Sequence, residues 1–177
     1  MFDLIAPFYD RLLGGIGDVE PIVKHLKGKV LLDLGGGTGR VSQHLPDTLT
    51  RIILDESFNM LRQARAKGLP AVRGEGENMP FPDESFDSII VVDSFHHFRD
   101  HRRILEECHR VLKPGGTLII REPNIERLPI KFVALFERLA LMRSKFFSAG
   151  DIIAMADGFR VETLENGIFY NLVLSKP

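Results

Sequence analysis

The chain has 177 residues, with 23 basic against 24 acidic side chains and a formal net charge of −1. That length suits one domain with a sizeable core, and the charge balance gives no general attraction to nucleic acid or to an anionic membrane. Cys108 is the only cysteine, which excludes an intrachain disulfide and a metal site built on thiols. The N-terminus has no basic lead into a long apolar run, and no segment reaches the roughly 18 apolar residues of a spanning helix. No signal peptide and no transmembrane segment are expected, and the cytoplasm is the expected compartment.

Taken in chain order, Val30–Leu34 is a short apolar run of strand type. Gly35, Gly37 and Gly39 follow at spacing two, and Thr38–Leu45 reads as helix. The glycines therefore lie at a strand-to-helix corner, where open α/β sheets bind nucleotides. Arg51–Leu54 is the second strand, ended by Asp55. Ser57 can cap a helix running to Lys67 and stopped by Gly68. Ala71–Arg73 is a third strand, Ser88–Val92 a fourth and Thr117–Arg121 a fifth. Asp100 can cap a helix to Lys113, which Pro114-Gly115-Gly116 should end. Ile104, Leu105, Cys108, Val111 and Leu112 share one face of it. Ser148 with Asp151 forms a capping-box pattern for a helix ending at Gly158. Phe159–Glu165 and Phe169–Ser175 are joined around Asn166-Gly167, a hairpin signal. Alternating strand and helix predicts an α/β, doubly wound, mainly parallel sheet with a terminal antiparallel pair. One domain covers residues 1–177, with an N-terminal helical segment over 1–28 and a further helical segment over 123–147.

Spacing separates the candidate ligands. A dinucleotide fingerprint G-x-G-x-x-G would need glycine at position 40, which is Arg40, so a nicotinamide dehydrogenase is disfavoured. A phosphate loop fails for want of Gly-Lys-Ser/Thr. The pattern present, Asp33-Leu34-Gly35-Gly36-Gly37-Thr38-Gly39, resembles the first motif of class I S-adenosylmethionine-dependent methyltransferases. From about Val30 to Asn124 the chain is similar to the ubiquinone/menaquinone-biosynthesis-type (methyltransferase type 11) group. Arg110-Val111-Leu112-Lys113-Pro114-Gly115-Gly116 is the most recognisable phrase after the glycine loop. The resemblance implies a Rossmann-like, seven-stranded sheet, S-adenosylmethionine as cofactor with S-adenosylhomocysteine as product, and methyl transfer to a small acceptor by in-line displacement.

Two readings of Asp33 stand together: a carboxylate capping nearby backbone N–H groups, or an acid near the cofactor's ammonium. Asp55 lies about 20 residues beyond Gly35, where nucleotide folds place an acid on ribose hydroxyls. The resemblance puts Glu56 beside the adenine, the Glu75 carboxylate on the adenine amine and the Gly76 backbone N–H on a ring nitrogen. It also implies that the Gly35-Gly36-Gly37 backbone lies beneath the cofactor's amino-acid end, and that Tyr9, in Ile5–Asp10, closes over the cofactor. Asp93 and Ser94 lie at the carboxyl edge of the fourth strand, where such sheets bind ligands. Phe86-Asp87 reads as structural.

His96 and His97 are the candidate general bases, since neutral imidazole takes a proton near pH 7. His97 better matches the family's recurring histidine, and holding the loop is the alternative role. No metal is expected, because His96, His97 and His101 lack an acid or cysteine at ligand spacing. Residues 128–147 are apolar around most of a helical girth and want burial on two sides. An acceptor-pocket wall, a homodimer partner, a membrane surface or plain core would each satisfy that. The pocket reading points to a lipophilic or aromatic acceptor. Two other functions stay open: a non-catalytic cofactor-binding partner of another methyltransferase, and an RNA or protein methyltransferase.

Overall fold

Strand and helix alternate through residues 19–124 and 145–177, which are the residues described in this computed structural model. Tyr9, the 1–28 segment up to residue 18, and positions 125–144 of the apolar segment lie outside them. The elements are α1 (Glu20–Val23), β1 (Val30–Leu34), β2 (Thr50–Asp55), α2 (Phe58–Ala66), β3 (Ala71–Arg73), β4 (Phe86–Val92), α3 (His101–Val111), β5 (Leu112–Pro123), α4 (Ala149–Met155), β6 (Arg160–Asn166) and β7 (Phe169–Ser175). Among the described residues the strands form one seven-stranded sheet in the order β3-β2-β1-β4-β5-β7-β6. The first five pair in parallel, and β7 is antiparallel to both β5 and β6. The chain steps outward from β1 through β2 to β3, then returns to place β4 on β1's other side. That reversal opens a crevice at the carboxyl ends of β1 and β4.

The central strands are buried on both faces, which is why they read as continuous apolar runs. Leu32, Leu34, Ile89, Val91, Leu118, Ile120, Leu172 and Leu174 join one core cluster, which includes Ile104, Leu105, Cys108 and Val111 of α3. The alternate residues Leu31, Ile90, Ile119 and Val173 enter a second cluster with Ile22 of α1. Period-two alternation thus divides each strand between two cores.

Caps fall where the sequence places them. The Ser57 side chain accepts from Met60 N–H and that of Asp100 from Arg103 N–H. Ser148 and Asp151 form a reciprocal capping box. Three helix boundaries differ from expectation. Thr38–Leu45 is turn plus a short 3₁₀ segment, Ser42–His44, not an α-helix. Gly39 sits at φ +72° on one side. On the other, Leu45 is extended, as a residue before proline prefers. Helix α3 stops at Val111 rather than Lys113. Lys113 also precedes a proline, so the chain turns directly into β5, and Pro114-Gly115-Gly116 lies inside that strand's irregular start. Helix α4 ends at Met155, three residues before Gly158.

The Arg110 phrase and Asp87 act as architecture. Arg110 donates to the carbonyls of Met79 and Phe81 and pairs with Asp83 and the buried Glu107. Glu107 accepts Met79 N–H at 2.8 Å. The loop from β3 to β4 is thereby pinned to α3. Asp87 accepts Lys29 and Val30 N–H, each at 2.9 Å, and the Lys113 ammonium at 2.8 Å. The Lys113 bond is the largest of the influences that hold its pKa down at about 2.

Candidate active site

A cavity of about 430 Å³ opens at the carboxyl ends of β1, β2 and β4. Its floor is Gly35, Gly36 and Gly37, and Asp33, Arg40, Asp55, Glu56, Gly76, Asp93, Ser94, His97 and Phe98 are among the other residues that face it. Gly35 and Gly37 adopt φ of +69° and +54°, a region that L side chains enter at a cost. Gly36 is constrained differently: a Cβ there would stand 2.5 Å from Asp33 Cγ.

That contact explains Asp33. Its carboxylate is buried directly beneath the glycine turn and accepts the Ser42 hydroxyl at 2.7 Å. Burial raises its pKa to about 6, opposed by the Ser42 bond; nearby Asp55 raises it further and Arg40 lowers it. Asp33 supports the floor from below while also bordering the cavity.

Asp55, ending β2, closes one wall. One carboxylate oxygen accepts Gly37 N–H at 3.0 Å and the other accepts Ser57 N–H at 2.8 Å. The acid thus ties the glycine loop to the start of α2. Glu56 lines the same wall, and Arg99 reaches its carboxylate at 3.2 Å across the rim.

On the opposite wall, Asp93 adopts φ +52°, one of two non-glycine residues with positive φ among those described. Arg40 donates to its Oδ2 at 2.8 Å, while its Oδ1 is buried without a hydrogen-bond partner among the described residues. The Ser94 hydroxyl donates to Leu34 O at 3.1 Å, bracing β4 against β1.

The two histidines separate. His97 faces the cavity. Burial, and then the neighbouring His96, lower its pKa to about 3, so it is neutral at physiological pH. An imidazole this reluctant to take a proton is better suited to hydrogen bonding than to storing a proton. His96 is not brought to the cavity. Its ring is buried, pairs through Nδ1 with the Glu122 carboxylate and stacks on Phe146 at 4.4 Å between centroids. The reason is the 3₁₀ turn Phe95–His97, which directs successive side chains to different sides.

Glu75 is likewise not brought to the cavity. It is exposed and precedes the 3₁₀ segment Gly76–Asn78, whereas Gly76 faces the cavity. A Cβ at Gly76 would lie 2.6 Å from Ile104 Cδ1, so a larger residue there requires that buried side chain to shift. Sequence reasoning overlooked Arg40 as a wall residue, although it directly follows the glycine loop. It also overlooked Glu122, whose signal was an acid at the carboxyl end of an apolar strand. Among the described residues no group of three or more His, Cys, Asp or Glu could hold a metal ion. No helix among them is long and apolar enough to cross a membrane.

The profile of the "Methyltransferase domain" family matches residues 32–120, a span that runs from within β1 to the end of β5's apolar run. The chain belongs to the S-adenosylmethionine-dependent methyltransferase family. The chain is 37% identical over 153 residues to a demethylmenaquinone methyltransferase of Thermotoga maritima, covering 77% of this chain and 67% of that one. It is 33% identical to one named likewise from Corynebacterium kroppenstedtii, covering 73% of this chain and 61% of the relative. It thus spans only about two thirds of the length of these curated relatives. A crystal structure of a SAM-dependent methyltransferase from Thermotoga maritima superposes with TM-score 0.84 over 100% of both chains at 23% identity, a likeness of fold.

Proposed function

We propose that this methyltransferase moves a methyl group from S-adenosylmethionine to a small lipophilic or aromatic acceptor. The observation that carries the reading is the bare floor Gly35–Gly37 with Asp55 at one wall and Asp93 at the other. The donor set fits the cofactor. Asp55 ends β2 at the cavity wall, where a carboxylate can accept from a ribose hydroxyl. The glycine turn leaves backbone open to the amino-acid end, and the Asp93 carboxylate on the opposite wall favours a cation electrostatically. Glu56 and the Gly76 backbone stand where the adenine would be held. When bound, S-adenosylmethionine supplies a methyl group already activated by its sulfonium charge.

The protein's remaining tasks are alignment and exclusion of water. Asp55 locks the glycine loop to α2, so the floor stays rigid during transfer. Phe98 and neutral His97 give the acceptor side an apolar, weakly polar-tipped surface. His97 orients an acceptor by hydrogen bonding rather than by holding a full charge. A quinone precursor, the class named for the curated relatives, suits such a wall.

Titration with S-adenosylhomocysteine, followed by transfer of labelled methyl to hydroquinones of increasing lipophilicity, tests the proposal. Heat on titration and label in the apolar hydroquinones support it. Absence of heat refutes the cofactor reading, and label confined to polar acceptors refutes the acceptor reading. Cofactor binding without transfer to any acceptor would favour a non-catalytic partner subunit instead.

A further inference from the structure

We propose that Glu122 is a positioning residue of this site: it sets the loop that presents Asp93, Ser94 and His97 to the cavity. The inference rests on the cofactor reading above. Glu122 lies near the end of β5, only 3% exposed. A buried carboxylate is costly unless fully bonded, and this one is committed on both oxygens. Oε1 accepts Ser94 N–H at 2.9 Å and Phe95 N–H at 2.7 Å. Oε2 accepts from Nδ1 of the buried His96.

The need for it arises in the backbone. The parallel ladder between β4 and β5 runs out at Asp93, whose N–H donates to Arg121 O at 2.9 Å. Asp93 then turns through positive φ and the chain leaves the sheet. The next two N–H groups would enter the interior with no strand opposite them, and buried donors must find partners. Glu122, one residue beyond the last ladder acceptor, takes both with charge-assisted bonds. Its other oxygen fixes the His96 ring, which packs between Phe146 and His97 at centroid distances of 4.4 and 4.0 Å. One side chain therefore determines the backbone under Ser94 and the surface against which His97 rests.

Three variants of the full chain separate positioning from simple filling of space. Glu122→Ala removes every bond and should weaken S-adenosylhomocysteine binding, read by calorimetry, by at least about tenfold. Glu122→Gln keeps an oxygen for Ser94 and Phe95 N–H but turns an amide N–H towards His96, so Nδ1 must become the acceptor. Binding should return to within a few fold of the parent, while nitrogen NMR of the His96 ring shows the proton gone from Nδ1. Glu122→Asp, too short to span both groups, should bind as poorly as the alanine variant. Parent-like binding by Glu122→Ala, or an unchanged His96 tautomer in Glu122→Gln, would overturn the proposal. Should the alanine variant not fold, the glutamine spectrum still decides. Lack of binding by the unsubstituted chain overturns the cofactor reading instead, and is distinguishable because it precedes any substitution.

Discussion

Replacing Asp55 by asparagine should damage the empty protein as well as its cofactor binding. The two carboxylate oxygens accept Gly37 N–H at 3.0 Å and Ser57 N–H at 2.8 Å. Asparagine has only one oxygen, so its amide nitrogen must face one of these N–H groups, donor against donor. Stranding one half-buried donor costs about 1–3 kcal/mol. For a domain of this size each kcal/mol moves the melting temperature by roughly 2–4 °C, so a fall of about 2–12 °C is expected. Loss of an acceptor for the ribose diol adds a second penalty of about 1–3 kcal/mol, or roughly 5–150-fold in affinity for S-adenosylhomocysteine. Differential scanning calorimetry reads the first effect and isothermal titration the second. If Asp55→Asn melts with the parent and binds with equal affinity, then Asp55 neither ties the glycine loop nor holds the sugar, and the account of that wall fails.

Asp33 should make stability depend on pH in an unusual direction. Its folded pKa, raised to about 6 from 3.8, favours the protonated acid in the native state. The native state is therefore penalised progressively as pH climbs from about 4 to 6, by at most roughly 3 kcal/mol, and the penalty persists above. Asp33→Asn, still able to accept the Ser42 hydroxyl, should lack this loss, so its melting temperature gains on the parent between pH 4 and 7. A gap that stays constant with pH would contradict a buried, reluctant carboxylate. Gly36→Ala should cost more than Gly68→Ala. At Gly36 a Cβ meets Asp33 Cγ at 2.5 Å, whereas at Gly68, at φ +78°, nothing lies within 4 Å. Urea unfolding should give about 1–3 kcal/mol of overpacking for the first and about 1 kcal/mol of backbone strain for the second; the reverse order would refute it. Cys108 is fully buried, and burial pushes its thiol pKa up. Thiol reagents should therefore label it only in denaturant, and rapid native-state labelling would show that the α3 core opens.

Much of this architecture was legible residue by residue. Val30–Leu34 followed by spaced glycines is a local pattern, and β1 with its loop appears where that pattern stands. Ser57, Asp100 and the Ser148/Asp151 box announce helix starts because a cap depends on atoms within three residues. The Asn166-Gly167 hairpin is local in the same way. The misplaced helix ends at Leu45 and Lys113 were also local, since each residue precedes a proline whose ring excludes the helical conformation. Among the proposed cavity residues, Gly35, Gly36, Gly37, Asp55, Gly76, Asp93 and Ser94 converge because strand ends in a parallel sheet share one edge.

Which side chains meet across that edge was a different matter. Glu75 and Gly76 are adjacent, yet one faces solvent and the other the cavity. His96 and His97 are adjacent, yet only His97 faces the ligand space. A single turn of 3₁₀ backbone decides both cases. The pairings of Glu122 with Ser94 and Phe95, of Arg40 with Asp93 and of Glu107 with Met79 join residues 27 to 53 positions apart. No periodicity in the chain encodes them. They arise when the reversal of strand order brings β4 between β1 and β5, leaving buried charges and stranded N–H groups that only one another can satisfy.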